Sequence, residues 1–557
     1  MEKKMKKMKY IGLIVVFAAL LFQGCSEDFI TRTPMAAESE VTFYTDYKNL
    51  ETAVIACYSQ LSAMENLDLA YTICMESAGD DIEAGGKYFN ELPDFTNNDL
   101  MLHDANNPRI RKFWGYNYKG VYFCNMFLKY FPSLLESGNL AQGETETLKT
   151  RIAEVKFLRA MYNFLLTQGF GGIVLLEEPM APADFPNATR STVKEVYQFI
   201  ERDLQEAIPD LPLRSGLDDI GRASKGSAQA LMAKMLLYES SYAKYKAGDD
   251  RFGAVQQRWD EALSYAETVI NSGEYSLVGL NGETFNTYWG PTTNAYRYIF
   301  TVDGDNQPGN IFSSTEVFNS NYTYIQSRGQ ALTVWTTVRY TTETTSELGW
   351  SFMCPTQDFV ALYDSLDPRR YTTVFFPWDT VNRQGGWEHA DISTTSTTGY
   401  HLRKYECSAE QYWNTASGNW NGGPMDIKLI RLADVYLFAA EAAYEDGQPG
   451  VALNFLNTVR LRADMCDGIE DGIPAPIDMA NFDLEDIRTE RRLELTGESS
   501  RFFDIVRWGV AESLLDGRTA NFGAVTIHYQ SPKNDFWPIP QNDIDAVGGT
   551  LQQYQGW

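Results

Sequence analysis

The sequence predicts a mainly α protein, with a large loop-rich subdomain carrying small hairpins set into a helical scaffold. Three observations predict it. Apolar residues recur at three- and four-residue spacing through much of residues 41–279 and again after 426. Between 280 and 425 that period lapses, and seven of the twelve tryptophans gather there among Thr, Asn and Gly. A chain of 557 residues that is 44% hydrophobic is ample for a large core, which excludes disorder as its main state.

The first forty residues read as an address and a tether. Lys3, Lys4, Lys6, Lys7 and Lys9 precede an apolar run from Ile11 to Phe22, too short to span a bilayer comfortably and suited to a signal-peptide core. The following Gln23-Gly24-Cys25 resembles a bacterial lipobox, with Phe22 where leucine is usual. Residues 1–24 are therefore expected to be a lipoprotein signal peptide and residues 25–40 a tether lipidated at Cys25. Cleavage removes five lysines and Glu2, taking the net charge from −27 to −31. Acyl chains then supply the membrane affinity that this charge denies. Ser26-Glu27-Asp28 resembles the surface-export signal of Bacteroidota-type lipoproteins, so the expected location is the outer membrane, lipid-anchored and exposed on the cell surface.

An N-terminal helical part is expected over 41–279. Phe43, Tyr47, Leu50, Val54, Cys57, Tyr58 and Leu61 share one helix face within 41–64. Residues 65–110 read as an irregular loop broken by Gly79, Gly85, Gly86, Pro93 and Pro108. A helix follows over 113–130, with Trp114 in its core pattern. Ile152, Val155, Leu158, Met161 and Leu165 stripe the next helix, which Gly169, Gly171 and Gly172 end. Further helices are expected over 192–207, 224–245 and 256–271. Residues 280–425 form the Trp-rich insert, with Tyr296–Val302 read as a short strand. The C-terminal helical part and tail, 426–557, opens with two helices joined at Asp446–Gly450. They make an antiparallel hairpin of tetratricopeptide length. Helices over 483–496 and 499–514 complete it.

Charge and motif exclude several functions. A pI near 4.6 lacks the basic footprint of a nucleic-acid binder. His103, His389, His401 and His528 show no metal-ligand spacing, and there is no C-x-x-C, phosphate loop, dinucleotide fingerprint or nucleophile elbow. Most of Cys57, Cys74, Cys124, Cys354, Cys407 and Cys466 read as buried free thiols. The block from Glu490 to Trp508 could offer Glu490 and Glu494 as an acid–base pair, but every carboxylate there has an arginine within one turn. We read it as an ion-pair network, with helical spacing pairing Arg491 with Glu494 and Asp504 with Arg501 and Arg507. Asp80-Asp81 suits turn chemistry and a ligand role equally. The tryptophan-rich loops suit the apolar faces of sugar rings, though for any single tryptophan a place in the insert's own small core is the commoner role.

The ordered motifs resemble the SusD/RagB family of surface glycan-binding lipoproteins. They are Glu154-Val155-Lys156-Phe157-Leu158-Arg159-Ala160 running to Gly169-Phe170-Gly171-Gly172, then Arg190-Ser191-Thr192-Val193 and Gly221-Arg222-Ala223-Ser224-Lys225-Gly226. Arg431-Leu432-Ala433-Asp434-Val435-Tyr436, the Glu490–Trp508 block, Pro538-Ile539-Pro540 and the ending Gln553–Trp557 follow in order. The resemblance implies four tetratricopeptide-like helix pairs under a loop-rich ligand-binding subdomain. It implies no catalytic machinery and no cofactor; some relatives hold calcium, and no EF-hand-type loop is visible here. It implies capture of an oligosaccharide or polysaccharide and delivery to a SusC-like TonB-dependent outer-membrane transporter, for which the protein acts as a lid. By position, the ligand-side loops offer Asp81, Lys87, Tyr88 and Phe89, then Trp289, Trp335 and Trp350. Two other readings make different predictions. A surface glycoside hydrolase would release product, and a peptide- or glycopeptide-binding component would seat its ligand in the groove of the helical array.

Overall fold

The computed structural model describes residues 40–64, 71–287, 290–292, 294–316, 330–336, 338, 349–377, 380–383, 386–389, 396–406, 413–414, 419–420, 423–520 and 525–557. Four antiparallel helix pairs make the scaffold, in the manner of tetratricopeptide repeats. The elements that matter here are, in chain order, α1 (Leu50–Ala63), α2 (Tyr71–Ser77), β1 (Ile82–Gly85), α3 (Pro93–Asp99), α4 (Pro108–Tyr130), α5 (Gln142–Phe170), α6 (Val193–Ala207), α7 (Lys225–Tyr245) and α8 (Trp259–Ile270). There follow β2 (Asn310–Ser314), α9 (Leu332–Thr336), β3 (Phe352–Pro355), β4 (Ile427–Arg431), α10 (Leu432–Glu445), α11 (Pro449–Met465), α12 (Leu484–Leu495) and α13 (Arg501–Arg507). The pairs are α1 with α4, α5 with α6, α7 with α8, and α10 with α11; successive pairs meet through α4–α5, α6–α7 and α8–α10.

Local chemistry sets the helix starts. Thr192 caps α6 by accepting from Glu195 N–H, and Ser224 does the same for α7 with Ser227. α4 starts five residues before the apolar pattern suggests, because the Asn107 side chain accepts from the Arg109 and Ile110 N–H groups while Pro108 takes the first turn. The expected loop 65–110 contains two short helices and a strand. All seven side chains of α2 are buried, so its helicity rests on packing and not on amphipathic spacing. The strand expected at Tyr296–Val302 is a helical turn, Ala295–Ile299. Asn294 caps it through Arg297 N–H at 2.8 Å, and the Tyr296 hydroxyl is buried against the Glu494 carbonyl at 2.7 Å. The helix expected at 499–514 is two pieces, α13 and Ala511–Leu515.

One aromatic ring joins the first three scaffold helices. Tyr162 of α5 lies so close to α4 that a Cβ at Gly120 would sit 2.5 Å from its ring, and its hydroxyl donates to the Cys57 carbonyl of α1 at 2.6 Å. Cys57, Cys74, Cys124, Cys354 and Cys466 are buried free thiols. The tail returns to the start of the array. Trp537 packs edge-on against Phe113 and Phe170, its backbone N–H donates to the Gly169 carbonyl, and the Tyr554 hydroxyl accepts from Gly172 N–H.

The insert enters and leaves the scaffold through a strand pair: β2 lies antiparallel to β4, with Ile427 opposite Ser314 and Arg431 opposite Asn310. Small hairpins join Phe285–Thr287 to Gly290–Thr292, Thr380–Arg383 to Gly386–His389, and Trp413–Asn414 to Asn419–Trp420. No helix among the described residues is long and apolar enough to cross a membrane.

The Glu490–Trp508 block is an ion-pair network, but its pairing differs from the local expectation. Glu494 is fully buried and meets Arg369, Arg431 and Arg462. Burial alone would raise its pKa; the charges of Arg462, Arg431, Arg369 and Lys404 hold it far below the usual carboxylate range. Arg491 turns away from Glu494 to Asp504 and Asp434, each at 3.0 Å. Arg501 goes to Asp80 at 2.6 Å instead of Asp504, while Arg507 does hold Asp504, at 2.9 Å, together with Glu441. Buried charges take desolvated partners from other elements, so one-turn spacing misassigns them.

Candidate functional site

Two distant stretches are fused by a short antiparallel ladder. β1 pairs with β3, Ile82 opposite Pro355, Glu83 opposite Cys354 and Gly85 opposite Phe352, and Gly86 N–H donates to the Ser351 carbonyl at 2.8 Å. Gly85 has φ +78°, and a Cβ there would lie 2.6 Å from the Ser351 carbonyl oxygen. Asn90, Ser351 and Met353 also take left-handed backbone, with φ near +62°. Non-glycine residues cost about 1–3 kcal/mol each in such conformations, which cluster where surface geometry matters.

From this ladder the chain turns outward at Lys87, Tyr88 and Phe89, before Pro93 starts α3. Tyr88 is 61% and Phe89 44% exposed. The turn is pinned by the Lys87 N–H, which donates to the Glu91 carboxylate at 2.6 Å. The other stretch supplies an aromatic platform. Trp350, half-buried, meets Trp335 of α9 edge to face at 4.5 Å; Trp335 in turn meets Phe352 at 5.1 Å and Phe95 of α3 at 5.3 Å. The Arg109 guanidinium lies 4.6 Å over Phe95 and 5.6 Å from Trp335, steered by Asp94 at 2.6 Å.

The structure thus brings Lys87, Tyr88 and Phe89 beside the strand that follows Trp350. It does not place all seven expected residues on one face. Trp335 is 4% exposed and belongs to the core of the platform, so it offers no face to a ligand. Asp81 is fully buried and bound to Arg492 at 2.5 Å, with Arg501 at 3.5 Å, so its carboxylate is committed to the fold. Its neighbour Asp80 would be raised by burial, but the Arg501 hydrogen bond and charge, with Arg492, hold it down to about 2. Trp289 and Cys25 lie outside the described residues. Phe95, Arg109 and Phe352 were missed by the sequence reading. Phe352 had only the weak signal of lying two residues after Trp350, and the left-handed Ser351 between them breaks the strand alternation that would have linked the two.

Other carboxyls lie behind β1. Burial pushes Glu76 up to about 7, and burial with the charge of Glu83 pushes Asp99 up to about 8. Glu490 and Glu494 are both sealed from solvent and held by arginines, which denies them access to a substrate. Among the described residues no group of three or more His, Cys, Asp or Glu is arranged to hold a metal ion. The geometry offers exposed aromatic faces on a turn that leaves a short strand ladder, next to polar loop groups, which suits stacking on a flat apolar surface.

Comparison with known proteins agrees with this architecture. Residues 298–557 match the profile described as the SusD family, and residues 46–237 match one described as starch-binding associating with outer membrane. A SusD-like protein of Bacteroides ovatus is 25% identical over 513 residues, spanning 90% of this chain and 83% of its own. A laminarin-binding SusD-like protein superposes with a TM-score of 0.70 at 24% identity, over 92% of this chain and 99% of the other. Surface glycan-binding protein A from Bacteroides thetaiotaomicron, solved with laminarihexaose, gives 0.69 at 22% identity over 91% and 99%. With two profiles matched in order, curated relatives along nearly the whole chain and the same helical array, the chain belongs to the SusD/RagB family.

Proposed function

We propose that this protein is a cell-surface glycan-binding lipoprotein, not an enzyme, that captures an oligosaccharide and passes it to a SusC-like TonB-dependent transporter as its lid. The observation that carries the reading is the exposed Tyr88–Phe89 turn beside Trp350, on the ladder that joins scaffold and insert. Flat rings take the C–H faces of a sugar, and Lys87 with the neighbouring loop groups takes hydroxyls. Relatives of the same architecture that bind laminarin or laminarihexaose support a glycan as the ligand class. Acyl chains on Cys25 would hold the protein at the outer membrane.

Calorimetry and affinity electrophoresis with laminarihexaose and a panel of neutral and acidic glycans test this, with product analysis on the same samples. Binding without cleavage is expected, weakened about tenfold or more by Tyr88→Ala or Trp350→Ala, as for a central aromatic contact. Product release would overturn the non-enzymatic reading. Silence across the panel, with peptide binding in the repeat groove, would replace the glycan.

A further inference from the structure

Where β4 crosses the scaffold it leaves a cleft, away from the exposed aromatic turn. Met161, Phe164 and Leu165 of α5 and Leu231 of α7 supply apolar lining from the scaffold, and β4 supplies Ile427 and Ile430. The cleft measures about 520 Å³ with the space open to solvent, and it has room for about two or three water-sized groups. Most polar groups on its walls are engaged. The Tyr405 hydroxyl donates to the Gly497 carbonyl at 2.6 Å, Ser499 to the Thr72 hydroxyl at 3.0 Å, and Lys428 to Asp305 at 2.6 Å. Glu498 accepts from Lys404 and Arg431, so its charge is already met.

Two groups are different. Gln168 of α5 is 4% exposed, and among the described residues its side-chain amide has no hydrogen-bond partner. Lys234 of α7 stands 3.7 Å from one oxygen of Asp434, beyond hydrogen-bond reach, while the other oxygen takes Arg491 at 3.0 Å. The Lys234 ammonium otherwise lies 5.7 Å over the Phe438 ring. An ammonium and a primary amide present five N–H donors against one carbonyl acceptor. That excess suits an occupant rich in acceptors, and the cation favours one that is negatively charged. We propose that this cleft is a binding site for a small carboxylate of acetate size, its oxygens on Lys234 and Gln168 and its methyl group against the apolar lining. Bound there, the acid lies at the joint between the scaffold helices and the strand by which the insert returns to them. The site does not depend on the glycan reading.

The test is titration of the full chain with sodium acetate at constant ionic strength, with chloride making up the balance. Thermal unfolding and saturation transfer to the acetate methyl protons are the readouts. A saturable rise of about 1–2 °C in the midpoint is expected, with transfer to the methyl signal. Lys234→Met and Gln168→Leu should each weaken binding about tenfold or more, as loss of a hydrogen bond to a charged group does. If either variant is unfolded, Gln168→Glu decides. Its own carboxylate fills the site, so its midpoint without acetate should rise and its response to acetate should vanish. Glucuronate carries the same acid on a ring too large for the cleft and should give no response. Absence of a saturable response in the native chain, or an undiminished one in any of the three variants, would overturn the site. So would glucuronate binding as well as acetate.

Discussion

Trp335 and Trp350 meet at 4.5 Å, and their environments give opposite expectations. Trp335 is packed against Phe95 and Phe352, so Trp335→Ala should cost about 3–5 kcal/mol, read as a fall in the urea midpoint. Trp350 is half-buried, and its replacement should weaken glycan binding far more than it moves that midpoint. Residue type and local context are alike for the two. What separates them is Phe95 and Arg109, which reach over from a distant stretch, and no pattern local to residue 335 carries that information. Asp81 was opaque for the same reason: its partners, Arg492 and Arg501, lie more than four hundred residues away. Glu76 sets a pH dependence of stability. Burial lets it keep its proton to about 7 when folded, whereas the unfolded chain releases it near 4.5. The folded state thus binds the extra proton between those values. Its stabilisation is whole below about 4.5 and is lost as pH rises through 7. Thermal midpoints over pH 4–8 should decline less in Glu76→Gln than in the native protein.

At the scale of elements, strongly periodic helices were legible almost to the residue; those expected at 192–207 and 224–245 are α6 and α7. Their caps and apolar stripes are local, so sequence suffices. α2 and β1 were not legible, because each is short and wholly buried, with no polar face to generate a period; α3 was not, because Phe95 is the one large apolar side chain in its seven residues. Charged elements were half legible: the network in α12 and α13 was foreseen, and of its local pairs Arg507 with Asp504 is present, while Arg491 and Arg501 take other partners. That wiring has an energetic consequence. Glu494→Gln removes the anion shared by Arg369, Arg431 and Arg462 inside a dry interface. It should destabilise by about 3–5 kcal/mol, since breaking a buried pair strands its partners. Chemical denaturation checks this, and a loss below about 1 kcal/mol, the worth of an exposed pair, would mean that water reaches the cluster.

Over the whole molecule, scaffold and insert are interlocked rather than stacked. β1 pairs with β3, β2 with β4, and Arg369 of the insert is seated on Glu490 of α12. Far-ultraviolet dichroism follows the helices, and tryptophan emission is weighted to the insert, which holds seven of the twelve tryptophans. The two probes should give coincident urea transitions; an earlier fluorescence transition would show an insert able to melt alone. The return of the tail has a further consequence, for the order of assembly. Trp537 and Tyr554 fill the seam at Phe113, Phe170 and Gly172, so the portion of the array synthesised first is completed by the portion synthesised last. A chain still emerging from the ribosome therefore carries an open apolar seam on α4 and α5. That keeps it short of its final packing until the closing residues arrive.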